Sequence, residues 1–171
     1  DNMVKFGVGQ SVRRVEDQRL VTGKGRYTDD ISVDGQAYGV VLRSPHAHAR
    51  ILGIDTSAAA AAPGVLGVFT AKDFGSVDAG VPCFIPVTNK DGSGRADPEH
   101  PILCKDKVHY VGDNVAFVVA ETVTQARDAA ELIEVDYDEL EAVTGTAQAT
   151  EAGRPQIHAD APSNIAFDWF H

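Results

Sequence analysis

Cysteine is scarce in this sequence, and so are the apolar segments that mark secretion or membrane insertion. The 171 residues include two cysteines, Cys83 and Cys104, which are too few for a disulfide framework or a zinc site. We expect two reduced thiols, with a single Cys83–Cys104 disulfide as the alternative. No apolar run approaches the length of a membrane span, and the N-terminus lacks the apolar core of a signal peptide. These absences predict a cytoplasmic protein without a membrane span.

Basic residues are also fewer than acidic residues. Lysine and arginine number 15 against 25 aspartates and glutamates, which gives a formal net charge of -10. A nucleic-acid-binding surface needs clustered Lys and Arg, so this composition argues against one. The length predicts one domain with an appended tail as the alternative, and it is sufficient to bury a hydrophobic core.

The common catalytic motifs are missing as well. There is no G-x-S-x-G, H-E-x-x-H, phosphate-binding loop or C-x-x-C. His46 and His48 could offer two imidazoles to a metal, but no third ligand has a suitable spacing, and polar turn histidines are the favoured interpretation. We interpret His109 as a packed or surface histidine and Cys104 as an inert thiol. A solvated strand edge is the interpretation of the acidic cluster of Asp136, Asp138, Glu139 and Glu141. We therefore predict no catalytic, cofactor-binding or metal-binding residue in this chain.

The clearest structural pattern is a strand, a helix and a strand in residues 108–140. Residues 115–120 form a continuous apolar run, typical of a strand buried on both faces. Thr122 and Gln125 have the spacing of a helix capping box. One helical face is predicted from spacings of three and four, at Val123, Ala126, Ala130 and Ile133. From residue 133 onward apolar and acidic residues alternate, which predicts a strand with one solvated face.

The same order of elements occurs earlier in the chain. A strand at residues 49–55, an alanine helix at 58–62 ended by Pro63-Gly64, and a strand at 65–69 form a second strand–helix–strand unit, preceded by a strand at 37–43. Residues 75–101 are rich in Gly, Pro, Asp and Asn, and predict a long loop with one strand near 83–87. Loops of this length in compact domains are usually functional or lie at an interface.

The two ends of the chain differ from its middle. Residues 1–35 predict an irregular arm, 36–142 a folded domain, and 143–171 an extended tail or linker. The arm carries Arg13, Arg14, Arg19 and Arg26, which either belong to a plain surface arm or pair with carboxylates or phosphates on a neighbour. The aromatic residues near the C-terminus predict a cut inside a longer chain, because chain ends are normally polar.

Four stretches of the sequence resemble one enzyme family in their order and spacing. They are GQSVRRVED at residues 9–17 with LVTGKGRYTDD at 20–30, LRSPHAHARI at 42–51 with Asp55, PGV at 63–65 with Thr70 and Asp73, and VHYVGDNVA at 108–116 with VVAET at 118–122. They resemble the N-terminal part of the molybdenum-binding large subunit of molybdenum hydroxylases. That family includes xanthine dehydrogenase, aldehyde oxidase and, with the strongest resemblance, aerobic carbon monoxide dehydrogenase. Asn114 and Cys104 depart from the residues common there.

The resemblance implies an α/β-hammerhead of class α+β, with a mixed sheet and two strand–helix–strand units. It also implies that residues 143–171 lead towards molybdopterin-binding domains. The family's cofactor loops, catalytic Glu and active-site Cys lie in those later domains, so no cofactor is expected in this chain. The parent subunit would hold a molybdopterin (cytosine dinucleotide) molybdenum cofactor. Electrons would leave through FAD and [2Fe-2S] clusters on partner chains, and water would supply the oxygen atom.

The function implied by the resemblance is a non-catalytic support and assembly domain of a molybdenum hydroxylase large subunit. Its partners would be the remaining domains of that subunit, an FAD-binding medium subunit and an iron–sulfur small subunit, in a dimer of heterotrimers. We expect the arm and residues 75–101 to contact these neighbours. The alternative is a free-standing binding module with the same fold and no redox chemistry, which should end in polar residues. The substrate stays open among carbon monoxide, aldehydes, purines and other N-heterocycles.

Overall fold

The protein divides into two compact units, Asp1–Gln36 and Ala37–His171. The computed structural model describes residues 13–75 and 80–169. The first unit contains a short helix, α1 (Asp17–Val21), and a 3-10 turn, Thr28–Asp30, and neither contains a buried residue. None of the helices in the described residues is long and apolar enough to cross a membrane.

The second unit is built on two three-stranded sheets. The first sheet has the order β1 (Tyr38–Arg43), β5 (Asn114–Ala120) and β3 (Val65–Thr70). The second has the order β4 (Lys107–Val108), β2 (Ala49–Asp55) and β6 (Glu134–Glu139). The remaining helices of this unit are α2 (Ser57–Ala60), α3 (Ala71–Phe74) and α4 (Val123–Glu131), with a 3-10 turn at Gln148–Thr150. The α+β class and both strand–helix–strand units are confirmed.

The prediction of a mixed sheet is wrong for the described residues, because every strand pair in both sheets is antiparallel. Each strand–helix–strand unit joins one sheet to the other instead of joining two strands of one sheet. The segment β2–α2–β3 runs from the second sheet to the first, and β5–α4–β6 runs back. The parallel pairing that a helical crossover often indicates is therefore not required here.

The first core cluster lies where α4 packs on β1 and β5. Ala126, Ala129 and Ala130 of α4 are buried against Val118 and its neighbours, and the small side chains let the helix lie close to the sheet. Val123 was predicted on this face, but it is 40% exposed. It occupies the first position of the helix, at the rim of the packed face.

The capping box predicted at the start of α4 forms only in part. The Thr122 hydroxyl accepts the Gln125 backbone N–H at 3.2 Å. The Gln125 side chain accepts from the Thr122 hydroxyl at 2.8 Å instead of from the Thr122 backbone N–H that a full capping box would use.

A second core cluster consists of Ala49, Cys104, Val108 and Val115. Ile54 of β2 and Val135 of β6 pack against both clusters. The two sheets therefore share one hydrophobic interior.

No strand forms at residues 83–87, contrary to the sequence prediction. Pro82 precedes that run and Pro86 lies within it, and proline cannot donate a hydrogen bond to a neighbouring strand. An isolated bridge between Thr88 and Gly94 instead closes a turn. In this turn the Asp91 carboxylate accepts the Ser93 backbone N–H at 2.9 Å, a local arrangement typical of an Asx turn.

Candidate functional site

The main candidate surface combines residues 80–101, called the loop, with residues 143–169, called the tail. Backbone hydrogen bonds join the two segments: Ala96 N–H donates to Ala166 O at 2.8 Å, and Lys90 N–H donates to Asp168 O at 3.0 Å. Lys90 Nζ also lies 3.0 Å from an Asp168 carboxylate oxygen. Asn89 Oδ1 accepts the Asp168 N–H at 2.8 Å. The loop and the tail thus form one layer, which we call the loop–tail layer.

Asn164 organises the fold of the tail. Its side-chain oxygen accepts the Ile157 N–H at 2.9 Å, and its side-chain nitrogen donates to Ala149 O at 3.1 Å and to Pro155 O at 2.9 Å. One half-buried side chain therefore replaces the backbone pairing that this Gly- and Pro-containing segment lacks. Sequence reasoning had no signal for this role.

The loop–tail layer presents large apolar side chains to solvent. Phe84 is 87% exposed, Ile85 66% and Trp169 60%. Phe167 and Trp169 line a shallow depression together with residues 86–88 of the loop. Exposed apolar side chains that adjoin one another are typical of a surface that binds another protein segment.

The two thiols lie in opposite environments, and both are free. Cys83 is exposed in the loop, where Arg95 donates to its sulfur at 2.6 Å and to its carbonyl at 2.8 Å. The Ile85 backbone N–H and then the Arg95 guanidinium lower the pKa of the Cys83 thiol. Cys104 is buried, and desolvation followed by the negative charge of Asp113 raises the pKa of its thiol. Cys83 is therefore the more reactive thiol of the two.

His46 and His48, the pair considered for a metal, have different partners. His46 packs against Tyr137 with ring centroids 4.7 Å apart and ring planes tilted by 59°, and its Nδ1 lies 3.4 Å from Glu139. His48 is buried, and its Nδ1 donates to the Glu141 carbonyl at 2.8 Å. No group of three His, Cys, Asp or Glu side chains within residues 13–75 and 80–169 is arranged to hold a metal ion.

His48 instead begins a row of three imidazoles. Its ring centroid lies 6.3 Å from that of His109, which lies 4.4 Å from that of His158 with the two planes 13° apart. We call these three residues the histidine row. His158 was not singled out by the sequence, since it lies in a tail segment without periodicity.

The charged groups singled out in the sequence lie at exposed positions. Asp136, Asp138 and Glu139 of β6 are solvated, as is Glu141, and Arg50 lies 2.9 Å from Asp138. In the first unit Arg14 pairs with Asp17 at 3.5 Å, and Arg19 with Glu16 at 3.7 Å. Arg13 and Arg26 are also exposed. These arginines can contact a neighbour at little desolvation cost.

Comparison with known proteins agrees with this geometry. A sequence model of the family described as "Aldehyde oxidase and xanthine dehydrogenase, a/b hammerhead domain" matches residues 22–141. The nicotine 6-hydroxylase large subunit of Paenarthrobacter nicotinovorans is 40% identical over 158 residues, which cover 92% of this chain and 19% of that protein. The carbon monoxide dehydrogenase large chain of Afipia carboxidovorans is 40% identical over 154 residues, which cover 90% of this chain and 18% of that protein.

The solved structures show the same fold. Quinoline 2-oxidoreductase from Pseudomonas putida 86 matches with a TM-score of 0.79 and 38% identity, over 91% of this chain and 19% of that one. This chain therefore spans about a fifth of the length of the relatives it matches. The α/β-hammerhead prediction is confirmed, and the chain belongs to the aldehyde oxidase and xanthine dehydrogenase hammerhead domain family.

Proposed function

We propose that this chain is a non-catalytic support and assembly domain of a molybdenum hydroxylase large subunit. The observation that carries the proposal is the family match at 40% identity over a fifth of each relative's length. The parent enzyme would be an oxidoreductase that hydroxylates an aldehyde or N-heterocycle, or oxidises carbon monoxide, with water as the oxygen source. It would act in the cytoplasm. The reacting atoms would then be bound by the four fifths of the subunit that this chain does not cover.

The residues of this chain do not fit the molybdenum cofactor itself. Among its described side chains, no group of three His, Cys, Asp or Glu residues is arranged to hold a metal ion. The Cys104 thiol is buried among Ala49, Val108 and Val115, and the Cys83 sulfur is already bonded to Arg95. We propose, from the resemblance to the family, that the rest of the subunit holds the molybdopterin cytosine dinucleotide and that partner chains hold FAD and [2Fe-2S] clusters.

The loop–tail layer is the surface that we assign to contacts with the rest of the complex. Phe84, Ile85 and Trp169 are exposed there, and burying an aromatic side chain of this size contributes roughly 2 kcal/mol or more to an interface. The arginines of the first unit are assigned to contacts with carboxylates or phosphates. The names of both relatives describe a large subunit or large chain, in keeping with medium and small partner subunits and a dimer of heterotrimers.

The first experiment measures molybdenum and pterin in two samples. One is the 171-residue chain, and the other is the protein purified from its native source through a tag on the same segment. The proposal expects an empty chain, and a larger native protein that contains both. A native protein of about this size that contains neither would overturn the proposal and favour the free-standing binding module.

A second experiment tests the assigned surface in the assembled complex. Phe84→Ser should weaken recovery of partner subunits with the tagged protein, while Leu52→Ser serves as the matched control. Leu52 is also an exposed apolar residue, at 62% exposure, but it lies on β2 away from the loop–tail layer. Equal recovery of partner subunits with both variants would show that the loop does not contribute to the interface.

The role of the arm is tested separately by charge reversal. Arg13→Glu, Arg14→Glu and Arg26→Glu, combined in one variant, should impair assembly because the introduced glutamates would face carboxylates or phosphates of the same charge on the partner. Assembly at the normal level would refute the contribution of the arm and leave that of the loop–tail layer in place.

A further inference from the structure

Three parts of the chain that are distant in sequence meet at the histidine row. His48 directly precedes β2, His109 directly follows β4, and His158 lies in the tail. The 4.4 Å separation of the His109 and His158 ring centroids makes this stack a direct side-chain contact between the tail and the second sheet. The Glu141 carbonyl, which accepts from His48, lies just before the tail begins. The row therefore contacts the tail at His158 and the segment just before the tail at Glu141.

Charges of both signs face the two rings of the row. Asp113 Oδ2 lies 3.8 Å from His109 Nδ1, and the same oxygen accepts the His109 backbone N–H at 3.0 Å. Asp160 lies near His158, and its Oδ2 accepts the Glu99 N–H at 3.0 Å. The remaining groups that face the two rings are positive or become positive in acid, namely Lys107, His100 and His48.

Burial favours the neutral form of both His109 and His158. Desolvation lowers the pKa of His109, and the proximity of His158 lowers it further. Desolvation also lowers the pKa of His158, an effect that Asp160 opposes and His100 reinforces. Both imidazoles are therefore held in their neutral form, which can stack face to face without repulsion.

We propose that His109 and His158 form an acid-sensitive clamp, which holds the tail against the second sheet when both rings are neutral and releases it when they are protonated. The loop should open with the tail, because the two segments share hydrogen bonds at Ala96 and Asp168. This inference concerns the chain alone and does not depend on the proposed function.

The sign of the pH effect follows from proton binding. The open state binds protons with the usual histidine pKa of about 6.5, and the closed state binds them at lower pH. Protonation therefore favours the open state as the pH falls below about 6.5, and closure is fully favoured above that pH. Each histidine can raise the opening equilibrium constant by up to about tenfold per pH unit, and the two together by up to about a hundredfold.

Amide hydrogen exchange of the full chain, followed by NMR between pH 7.5 and pH 5, tests the clamp. Protection factors are compared, because they remove the intrinsic pH dependence of exchange. The protection of the Ala96 and Ile157 amides should fall at least about fivefold per pH unit below pH 6.5. The amide of Val118, in the central strand of the first sheet, should stay protected and show that the sheets remain folded.

Two variants separate the clamp from a general acid effect. His158→Phe keeps an aromatic ring that can stack but cannot be charged, and it should reduce the pH dependence at Ala96 and Ile157 by about half or more on a logarithmic scale. His46→Phe is the matched control, because His46 contacts Tyr137 and Glu139 outside the row, and it should open like the natural chain. Constant protection at Ala96 and Ile157 in the natural chain, or unchanged acid opening in His158→Phe, would overturn the proposal.

Discussion

The core beneath α4 and the loop–tail layer are held together by different interactions. The core consists of buried alanines and valines between α4 and a sheet whose central strand is paired on both sides. The loop–tail layer has few backbone pairs, and the side chains of Asn89 and Asn164 make many of its bonds. Its largest apolar side chains point to solvent. One region is stabilised mainly by burial, and the other mainly by polar contacts.

This difference predicts unequal stability within one chain. Full burial of a valine contributes about 1.5–3 kcal/mol, whereas a typical exposed hydrogen bond contributes about 1 kcal/mol net. The loop–tail layer should therefore open without unfolding the sheets. In the assembly proposed above, the exposed aromatic side chains of this layer would become buried against a partner.

The reactivity of the two cysteines is expected to show the largest contrast between these regions. Cys83 lies in the loop and Cys104 in the core of the second sheet. Iodoacetamide at pH 7 should modify Cys83 at least about a hundredfold faster than Cys104, because only Cys83 is accessible and has a lowered thiol pKa. Mass spectrometry of the two cysteine peptides measures both rates. In urea the rates should become similar.

The contribution of Arg95 to the reactivity of Cys83 can be tested separately, because Arg95 donates a hydrogen bond to the Cys83 sulfur. Arg95→Gln should slow modification of Cys83 at pH 7 by raising the pKa of its thiol. Arg154→Gln is the matched control, because Arg154 bonds Glu151 in the tail and should leave the rate unchanged. If Cys83 reacts as slowly as Cys104 in the natural chain, the two regions do not differ in accessibility.

A cavity in the core should have the next largest effect. Val118→Ala removes two buried methyl groups from the central strand and should lower the free energy of unfolding by about 2–3 kcal/mol. Leu66→Ala on β3, where Leu66 is 60% exposed, should change it by less than about 0.5 kcal/mol. Urea unfolding followed by circular dichroism measures both. Similar losses in the two variants would contradict the assignment of the core to the α4 face.

The local patterns around this core were predictable, and the pairing of strands was not. The apolar run of β5 and the alanine spacing of α4 are properties of neighbouring residues, and both elements form within a residue or two of prediction. The choice of β1 and β3 as partners for β5 depends on contacts far apart in sequence. A helix between two strands suggested parallel pairing, but each helix here connects two sheets.

The loop–tail layer was predictable only in its composition. The Gly- and Pro-rich residues 75–101 indicated a loop, and the terminal aromatics indicated a surface that packs on something else. Their mutual pairing, such as Asp168 with Asn89, joins positions 79 residues apart. His158 likewise gains its neighbours from the tertiary fold alone. Polar side chains that bond irregular backbone have no periodicity that a sequence could show.

A third prediction concerns the polar organisation of the tail. Asn164→Ala removes an acceptor from Ile157 and a donor from Ala149 and Pro155. The free energy of protection of the Ile157 amide should fall by about 1–2 kcal/mol, which is about fivefold to thirtyfold in the protection factor, with little change at Val118. Gln148→Ala, an exposed substitution in the tail, should leave both amides unchanged. An equal loss at Ile157 and Val118 would mean that the tail and the core unfold as one unit.

The smallest predicted effect tests the cap of α4, which links the two sheets. Thr122→Ala removes the hydroxyl that accepts the Gln125 N–H and should destabilise the chain by about 1 kcal/mol. Thr124→Ala, two residues later on the exposed face of the same helix, should be neutral or slightly stabilising, because alanine has the higher helix propensity. Thermal unfolding of both variants measures the difference. Since α4 packs on the first sheet, Thr122→Ala should lower the hydrogen-exchange protection of the Val118 amide. A loss of protection confined to the loop–tail layer would contradict the division into two regions.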